Sequence, residues 1–394
     1  MRNYDIAIIG GGPAGMMAAI SASKNSSSVI LLEKNSSLGC KLLLTGGGRC
    51  NITNLKPIKE LLDEFDNKNF LKHSFYTLTN EKLLSFFDIE FICEDNDRVF
   101  PKDFGSQKIL ELLTYNLEDV DIRYNFEVIS ISDDFVINNE IKADKIIITT
   151  GGITYPQTGS SKSNYALTSQ PITDIKYGLA PLITKKDLSS IAGVVLNDVV
   201  ISYNKKVRSD VLFSHTGITG PGIMDISNEI SKSINYNLLV DDVEFSKLIT
   251  IDLTPDLSQR NLLDIFTSDF NSKTLIKNYL KQFLPKSFIV FFLDECGIKN
   301  DLQLSGISKK NKNKLIEYLK NYPLEVIGFN GDLSKITIGG VDVKHINSKT
   351  MESKLISNLY FAGEILDVTA PTGGYNLKLA FSTGYLAGLS ASKK

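Results

Sequence analysis

A run of four apolar residues, Ile6–Ile9, leads straight into three glycines, and the hydrophobic period changes there. Short, unbroken apolar runs suit strands buried on both faces, so this segment predicts a central parallel strand. Ala14–Lys24 is a run of helix formers and predicts a helix directly after the turn. A second apolar run, VILLEK, follows at Val29–Lys34. DKIIITTGG, Asp144–Gly152, repeats the arrangement. Ile146–Ile148 fits another central strand, and Gly151 and Gly152 fit backbone pressed against a ligand at the strand's C-terminal end. Just upstream, NFEVISISDDFVINNEIKADKIII alternates and carries turn pairs at Asp133–Asp134 and Asn138–Asn139, which predicts a small hairpin layer.

From about Lys185 the period shortens to two. GVVLNDVVISYNKKVRSDVLFS and SINYNLLVDDVEFSKLITIDL are rich in Val, Ile and Tyr between polar turns, the pattern of antiparallel strands. From about Ser258 to Asn321 the periodicity becomes helical, and LEVIGFN, Leu324–Asn330, resembles one more strand of the β-rich part. KITIGGVDV, Lys335–Val343, resumes the character of the first segment. The expected organisation is α/β, with a dinucleotide-type domain of residues 1–184 plus 335–394. Two insertions interrupt it: a β-rich, barrel-like domain of 185–257 plus 322–334, and a helical domain of 258–321.

A length of 394 residues exceeds what one hydrophobic core usually fills, consistent with several domains. No apolar run approaches the ~18 residues of a membrane span. Met1 leads into a strand within a few residues, without a signal-peptide pattern. The four cysteines (Cys40, Cys50, Cys93, Cys296) include no C-x-x-C pair, which argues against a disulfide framework or a zinc site. A cytoplasmic protein with reduced thiols, no membrane contact and no metal is the expectation. The net charge of −2 excludes a polycation, yet Lys273–Lys320 holds ten lysines against four acids, a local net of +6. Two readings of that stretch stand: a solvated helical face, and a surface that contacts phosphates.

The chemistry concentrates at the two ends. In DIAIIGGGPAG, Gly10 would make the tight turn off the strand, Gly12 would let backbone approach a pyrophosphate, and Gly15 would pack helix on sheet. Phosphates would then meet the free amides and positive dipole end of the helix. Glu33 ends the second apolar run, near the ~20-residue distance of an acid that holds a ribose hydroxyl pair. Strand, turn, helix and acid together predict a dinucleotide site. Between Leu38 and Asn54, LGCKLLLTGGGRCNITN places three glycines beside Arg49, a loop able to lie along a planar or charged ligand. A second G-x-G-x-x-G after a strand is absent, so a separate Rossmann unit for NAD(P)H is not expected.

These segments resemble the blocks of a known family, in family order from Ile6 to Gly388. They are GGGPAG, LEKNSSLGCKLLLTGGGRCNITN, DRVFPKDFGSQ, TTGGITYPQTGS, LFSHTGITGP, TIGGVDVKHINSKTMESKL and YFAGEILDVTAPTGGYNLKLAFSTG. The family is the bacterial FAD flavoproteins that include aminoacetone oxidase, a BaiN-type reductase of bile-acid enones and a synthase of dihydrouridine in ribosomal RNA. Cys40 departs from it, standing where many members carry Arg. The resemblance implies a Rossmann-like, glutathione-reductase-like FAD domain with barrel-like and helical insertions. By motif, Gly10, Gly12, Ala14, Gly15 and Glu33 would hold the ADP half, and Val128 would meet the adenine. Lys41, Thr45, Gly46, Gly47, Gly48, Arg49, Cys50 and Asn51 would line the flavin side, with Thr150, Gly151 and Gly152 over the pyrophosphate or ribose. Gly363, Glu364, Asp367, Gly373, Gly374, Tyr375, Asn376 and Leu377 would flank the ribityl chain and the polar edge of the ring.

In such a protein the flavin exchanges hydride at N5, and the chain positions substrate and proton. His215, in a glycine-rich turn of a family block, reads as an acid/base or orienting group, with a hydrogen-bonded structural histidine as the other reading. Tyr375 would donate a proton or stack, and Arg98 would steer an anionic or carbonyl substrate or form a surface salt bridge. Three functions follow as expectations. The first is reduction of an activated C=C bond, in a uracil of ribosomal RNA or an enone, with NAD(P)H as transient donor. The second is oxidation of a small amine by oxygen. The third is a flavin-binding protein whose partner contacts outweigh turnover.

Overall fold

The computed structural model describes residues 2–26, 28–103, 105–240, 243–269 and 273–393. The chain divides into two compact units. One comprises residues 1–176, 237–240 and 335–394; the other comprises 177–236 and 241–334.

The first unit is built on a parallel sheet in which Arg2–Ile9 lies between Ile141–Ile148 and Val29–Leu32. Leu359–Phe361 and Asp121–Arg123 extend it on either side, also in parallel. The register sets Ile6 opposite Val29 and Ile8 opposite both Leu31 and Ile147, so the apolar runs lie side by side at the centre. All four residues of Val29–Leu32 are buried, which explains the lack of alternation. Val136–Ile137 adds an antiparallel ribbon on Ile141–Ile148, after a turn in which Asn138 and Asn139 both adopt positive φ. A smaller sheet joins Thr53–Asn54, Phe91–Glu94 and Arg98–Pro101.

Two helices cover the sheet centre. The N-terminal helix, Pro13–Ser23, has Pro at its start and is buried from Ala14 to Ala22, as a sequence whose only polar side chains are Ser21 and Ser23 requires. The C-terminal helix, Tyr375–Ala391, packs against it through small residues. A Cβ on Gly384 would stand 2.2 Å from the Ala14 carbonyl oxygen, and one on Gly388 would stand 2.1 Å from that of Ala18. Only glycine permits this approach. Ser21 adds a hydrogen bond to the Tyr385 carbonyl at 2.9 Å.

The second unit contains a closed six-stranded barrel. Its strands, in order around the wall, are Leu182–Thr184, Gly217–Thr219, Lys205–Phe213, Val195–Tyr203, Lys247–Asp252 and Tyr322–Phe329, all paired antiparallel. The barrel therefore begins with Leu182, slightly before the two-residue period starts at about Lys185. The helical stretch comprises Gln259–Asp269, Ile276–Tyr279, Lys286–Cys296 and Lys309–Lys320. Among the described residues no helix is long and apolar enough to cross a membrane, and no cluster of His, Cys, Asp and Glu could hold a metal ion.

Candidate cofactor site

At the C-terminal edge of the parallel sheet the first unit carries a cleft with about 1310 Å³ of space not filled by protein. The location is where open α/β sheets bind ligands. Each glycine of the first turn has a distinct steric reason. Gly10 adopts φ +105°, and a Cβ there would stand 2.7 Å from the Thr149 carbonyl oxygen. Gly12 faces open space, with nothing within 4 Å of its Cβ position. A Cβ on Gly15 would stand 1.9 Å from the Gly10 carbonyl oxygen, so this glycine brings the helix onto the turn. The helix that follows has no side-chain cap and no acid in its first turn, which leaves its positive end free for an anion.

Glu33 is buried on the cleft wall, and its two oxygens accept from the Gly11 amide at 2.7 Å and the Asn35 amide at 2.8 Å. Each oxygen keeps lone-pair capacity for a further donor. Further along the wall, Lys41 donates to Thr154 Oγ1 at 2.8 Å and pairs with Glu364 at 2.6 Å. The other Glu364 oxygen accepts from the Thr337 amide at 2.9 Å. The open glycine turn, the uncapped helix, the diol-ready carboxylate and the apolar lining fit an FAD molecule. They form a largely apolar cleft with polar groups at few fixed points.

The residues read from sequence fall into two groups. Gly10, Gly12, Ala14, Glu33, Lys41, Thr45, Val128, Thr150, Gly151, Gly363, Glu364, Asn376 and Leu377 all line the cleft. Gly15, Gly46, Gly47, Gly48, Arg49, Cys50, Asn51, Gly152, Asp367, Gly373, Gly374 and Tyr375 are not among its lining residues. Gly152 is turned toward Thr337, where a Cβ would stand 2.1 Å from Oγ1. Gly46, Gly47 and Gly48 have φ of +58°, +66° and +88° and form an exposed left-handed turn. Beside it Arg49 stacks on Phe100, 4.2 Å from the ring centroid, and pairs with Glu94. Cys50 is fully buried, and burial pushes its thiol up to about 12. Asn51 and Asn54 join this loop to the other end of the chain. A Cβ on Gly374 would stand 2.7 Å from Asn51 Oδ1, and Asn54 Nδ2 donates to the Gly373 carbonyl at 3.2 Å.

Tyr375 is 4% exposed, packs edge-on against Phe65 at 6.2 Å, and has Lys56 beside its hydroxyl. Burial raises the Tyr375 pKa, and Lys56 partly offsets the rise. Arg98 donates to the Asp95 carbonyl at 3.0 Å and lies 3.8 Å from Glu94, a surface arrangement outside the cleft. His215 is exposed in a turn of the second unit, with Asp187 as a charged neighbour. Sequence reasoning passed over Ser160, Asn164, Leu167, Lys335, Thr337 and Val368, which also line the cleft. Ser160, Lys335, Thr337 and Val368 lie within segments quoted above, whereas no local motif marks Asn164 and Leu167. The common signal of the six is proximity to the TTGG, KITIGG and AGEILD blocks.

The fold and the cleft define a Rossmann-type FAD-binding protein, an FAD-dependent oxidoreductase. The chain belongs to the HI0933-like family, whose model, described as the HI0933-like protein Rossmann domain, matches residues 4–390. It is 29% identical to the ribosomal RNA dihydrouridine synthase of Haemophilus influenzae, over 98% of this chain and 98% of that one. It is also 29% identical to the protein of the same name from Escherichia coli, over 98% and 97%. Identity to the 3-dehydro-bile acid delta(4,6)-reductase of Clostridium scindens is 28%, over 99% of each chain. Among solved structures, a 3-ketosteroid-delta4-(5alpha)-dehydrogenase from Rhodococcus jostii RHA1 superposes with a TM-score of 0.45 at 13% identity, covering 100% of this chain and 97% of that one.

Proposed function

We propose that the protein reduces an activated C=C bond, with a uracil of ribosomal RNA as leading substrate, an enone as the small-molecule counterpart and NAD(P)H as transient electron donor. One observation carries this reading. Relatives matched over at least 98% of the chain bear names that describe one transformation on unlike molecules. Dihydrouridine differs from uridine by two hydrogens across a ring double bond conjugated to a carbonyl. Reduction of an unsaturated 3-oxo steroid acts on the same electronic arrangement.

FAD, when bound, supplies hydride exchange with the substrate. The chain's own residues bind, orient and handle the proton. In this reading the Gly10–Gly15 turn and the amides from Ala14 receive the pyrophosphate, Glu33 accepts from a ribose, and the Val128 backbone meets the adenine. Thr150 and Gly151 close over the middle of the cofactor, with Gly152 behind them. Lys41, Thr45 and Glu364 would flank the ribityl chain, with Asp367 behind the cleft wall. The Gly46–Asn51 loop, with Arg49 and Cys50, lies outside the cleft lining and would support the flavin side through Thr45. Amides of the segment from Gly373 to Leu377 sit at a helix start, where the dipole stabilises negative charge on the ring's polar edge. His215 is the acid/base or orienting candidate, Tyr375 the proton-donating or stacking one and Arg98 the substrate-steering one.

The lysine-rich stretch favours RNA over a small enone. Lys273, Lys281, Lys286, Lys299, Lys309 and Lys310 are exposed, and an RNA substrate needs phosphate contacts that a small one does not. The test is anaerobic reduction with NADPH, followed by addition of unmodified ribosomal RNA, an enone or oxygen while flavin reoxidation is monitored. RNA-driven reoxidation with dihydrouridine in the product is expected. Rapid reoxidation by oxygen alone, coupled to amine consumption, would replace this reading with an oxidase. Absence of turnover with any acceptor would leave a flavin-binding partner protein.

A further inference from the structure

The segment that follows the strand Ile141–Ile148 does not stay on its own side of the cleft. It starts beside the dinucleotide turn, where Thr149 Oγ1 donates to the carbonyls of Ile9 and Gly10, each at 2.9 Å. It then reaches the far side of that turn, where the Thr158 carbonyl accepts from Asn35 Nδ2 at 3.0 Å. Asn35 comes just after Val29–Leu32, and Arg2–Ile9 lies between that strand and Ile141–Ile148. Residues 149–158 therefore run from one neighbour of the central strand to the other, across the end that carries Gly10. Thr158, Gly159 and Ser160 line the cleft from this segment, and Lys34 and Asn35 line it from the opposite side.

The two ends of the crossing are held differently. Thr149 and Thr154 are buried, and Thr154 Oγ1 accepts from Lys41 at 2.8 Å, so the first half is fixed. Beyond it, Pro156 and Gln157 are exposed and Thr158 is half-buried. Segments with so little buried contact open at low cost. The short 3₁₀ turn Pro156–Thr158 is flanked by Tyr155 at φ +57° and Gly159 at φ +100°, two left-handed positions on which it can pivot. A Cβ on Gly159 would stand 2.8 Å from Asn35 Nδ2 and 3.0 Å from Lys34 Cε, so glycine lets the turn settle against this wall. Asn35 itself is anchored. Its carbonyl accepts from the Asn125 amide at 3.0 Å, and its own amide donates to Glu33 at 2.8 Å. The turn is the part able to swing.

We propose that residues 155–160 are a strap across the cofactor cleft and that the Asn35–Thr158 hydrogen bond is its latch, which opens to admit and release the dinucleotide. The latch joins protein to protein, so it governs how fast the ligand exchanges more than how tightly it is held. Asn35 is then a gating residue. This rests on the reading of the cleft as the FAD site.

The test compares wild type with Asn35→Ala, which removes the donor, and Gly159→Ala, which wedges a methyl against it from the strap. The holoprotein is diluted and FAD release is followed by recovery of flavin fluorescence. Rebinding to the stripped protein is followed by its quenching in stopped flow. Both variants are expected to release FAD about five- to tenfold faster than wild type, as loss of one hydrogen bond across a gate requires. Association should accelerate by a similar factor, leaving the dissociation constant within about twofold. Wild-type rates in either variant would overturn the latch. Faster release with unchanged association would overturn it too, since Asn35 would then be holding the ligand directly. The substitutions act from opposite walls, so either decides the matter if the other prevents folding. Wild type that binds no FAD would overturn the reading of the cleft and the strap with it, whereas unchanged rates beside a wild type that binds FAD would overturn the strap alone.

Discussion

Lys41 and Glu364, 323 positions apart in the chain, meet at 2.6 Å on the wall of the cleft. Lys41 also holds Thr154, and Glu364 also holds the Thr337 amide, so one polar knot pins four separate segments. Both side chains are roughly a quarter exposed, which lets water screen the pair. A double-mutant cycle with Lys41→Met and Glu364→Gln should give a coupling of about 1 kcal/mol in urea unfolding of the apoprotein. Each single variant should also bind FAD more weakly. Additive effects within error would mean the contact is incidental to the wall.

The approach of the two terminal helices is testable by volume alone. A Cβ at Gly388 would stand 2.1 Å both from the Ala18 carbonyl oxygen and from Ser21 Oγ. Gly388→Leu must push the helices apart, and overpacking of this kind costs about 1–3 kcal/mol. The loss should appear as a lower urea midpoint together with weaker FAD retention, since Ala14 and Gly363 lie on the same seam. A variant as stable as wild type would show that the helices separate freely.

Lys378 sets a pH dependence. It is 1% exposed, its Nζ donates to the Leu78 carbonyl, and burial pushes its pKa down from 10.5 to about 7, with Glu81 pulling the other way. Between about pH 7 and 10.5 the unfolded chain therefore holds more of this proton than the folded one. Stability rises with pH across that window, by up to ~1.4 kcal/mol per pH unit, and below it the full cost of burying the charge is present. Lys378→Met should flatten the slope measured by urea unfolding from pH 6 to 10, and its gain over wild type should be largest at the acid end. Parallel slopes in the two proteins would exclude Lys378 as the source.

Thiol accessibility gives a fourth check. Burial pushes both Cys50 and Cys296 up to about 12, whereas Cys93 is exposed and Cys40 partly so. With iodoacetamide at pH 8, mass mapping should find label at Cys93 first and then Cys40, with Cys50 and Cys296 labelled only after unfolding. Rapid native labelling of Cys50 would contradict its packing beneath the glycine loop.

The strand–turn–helix at the N-terminus was readable because its requirements are local. An unbroken apolar run, a glycine at a tight turn and proline at a helix start act within about ten residues, and the glycine positions match the contacts found at Gly10 and Gly15.

Local pattern carried no information about which way the glycine-rich segments turn. Tyr375, Asn376, Leu377 and Lys378 are consecutive, yet only Asn376 and Leu377 face the cleft, because successive helical positions rotate by about 100° and the seam with Ala14 and Ala18 fixes the zero of that rotation. Likewise Thr337, Asn164 and Lys335 reach the cleft through strand order and loop packing that bring together residues more than a hundred positions apart. The sequence by itself determined the dinucleotide turn and the buried strands, since each is a short-range steric or periodic demand. The tertiary structure alone decided which side chains share the cleft, because that depends on non-local pairing and on how closely two helices can approach.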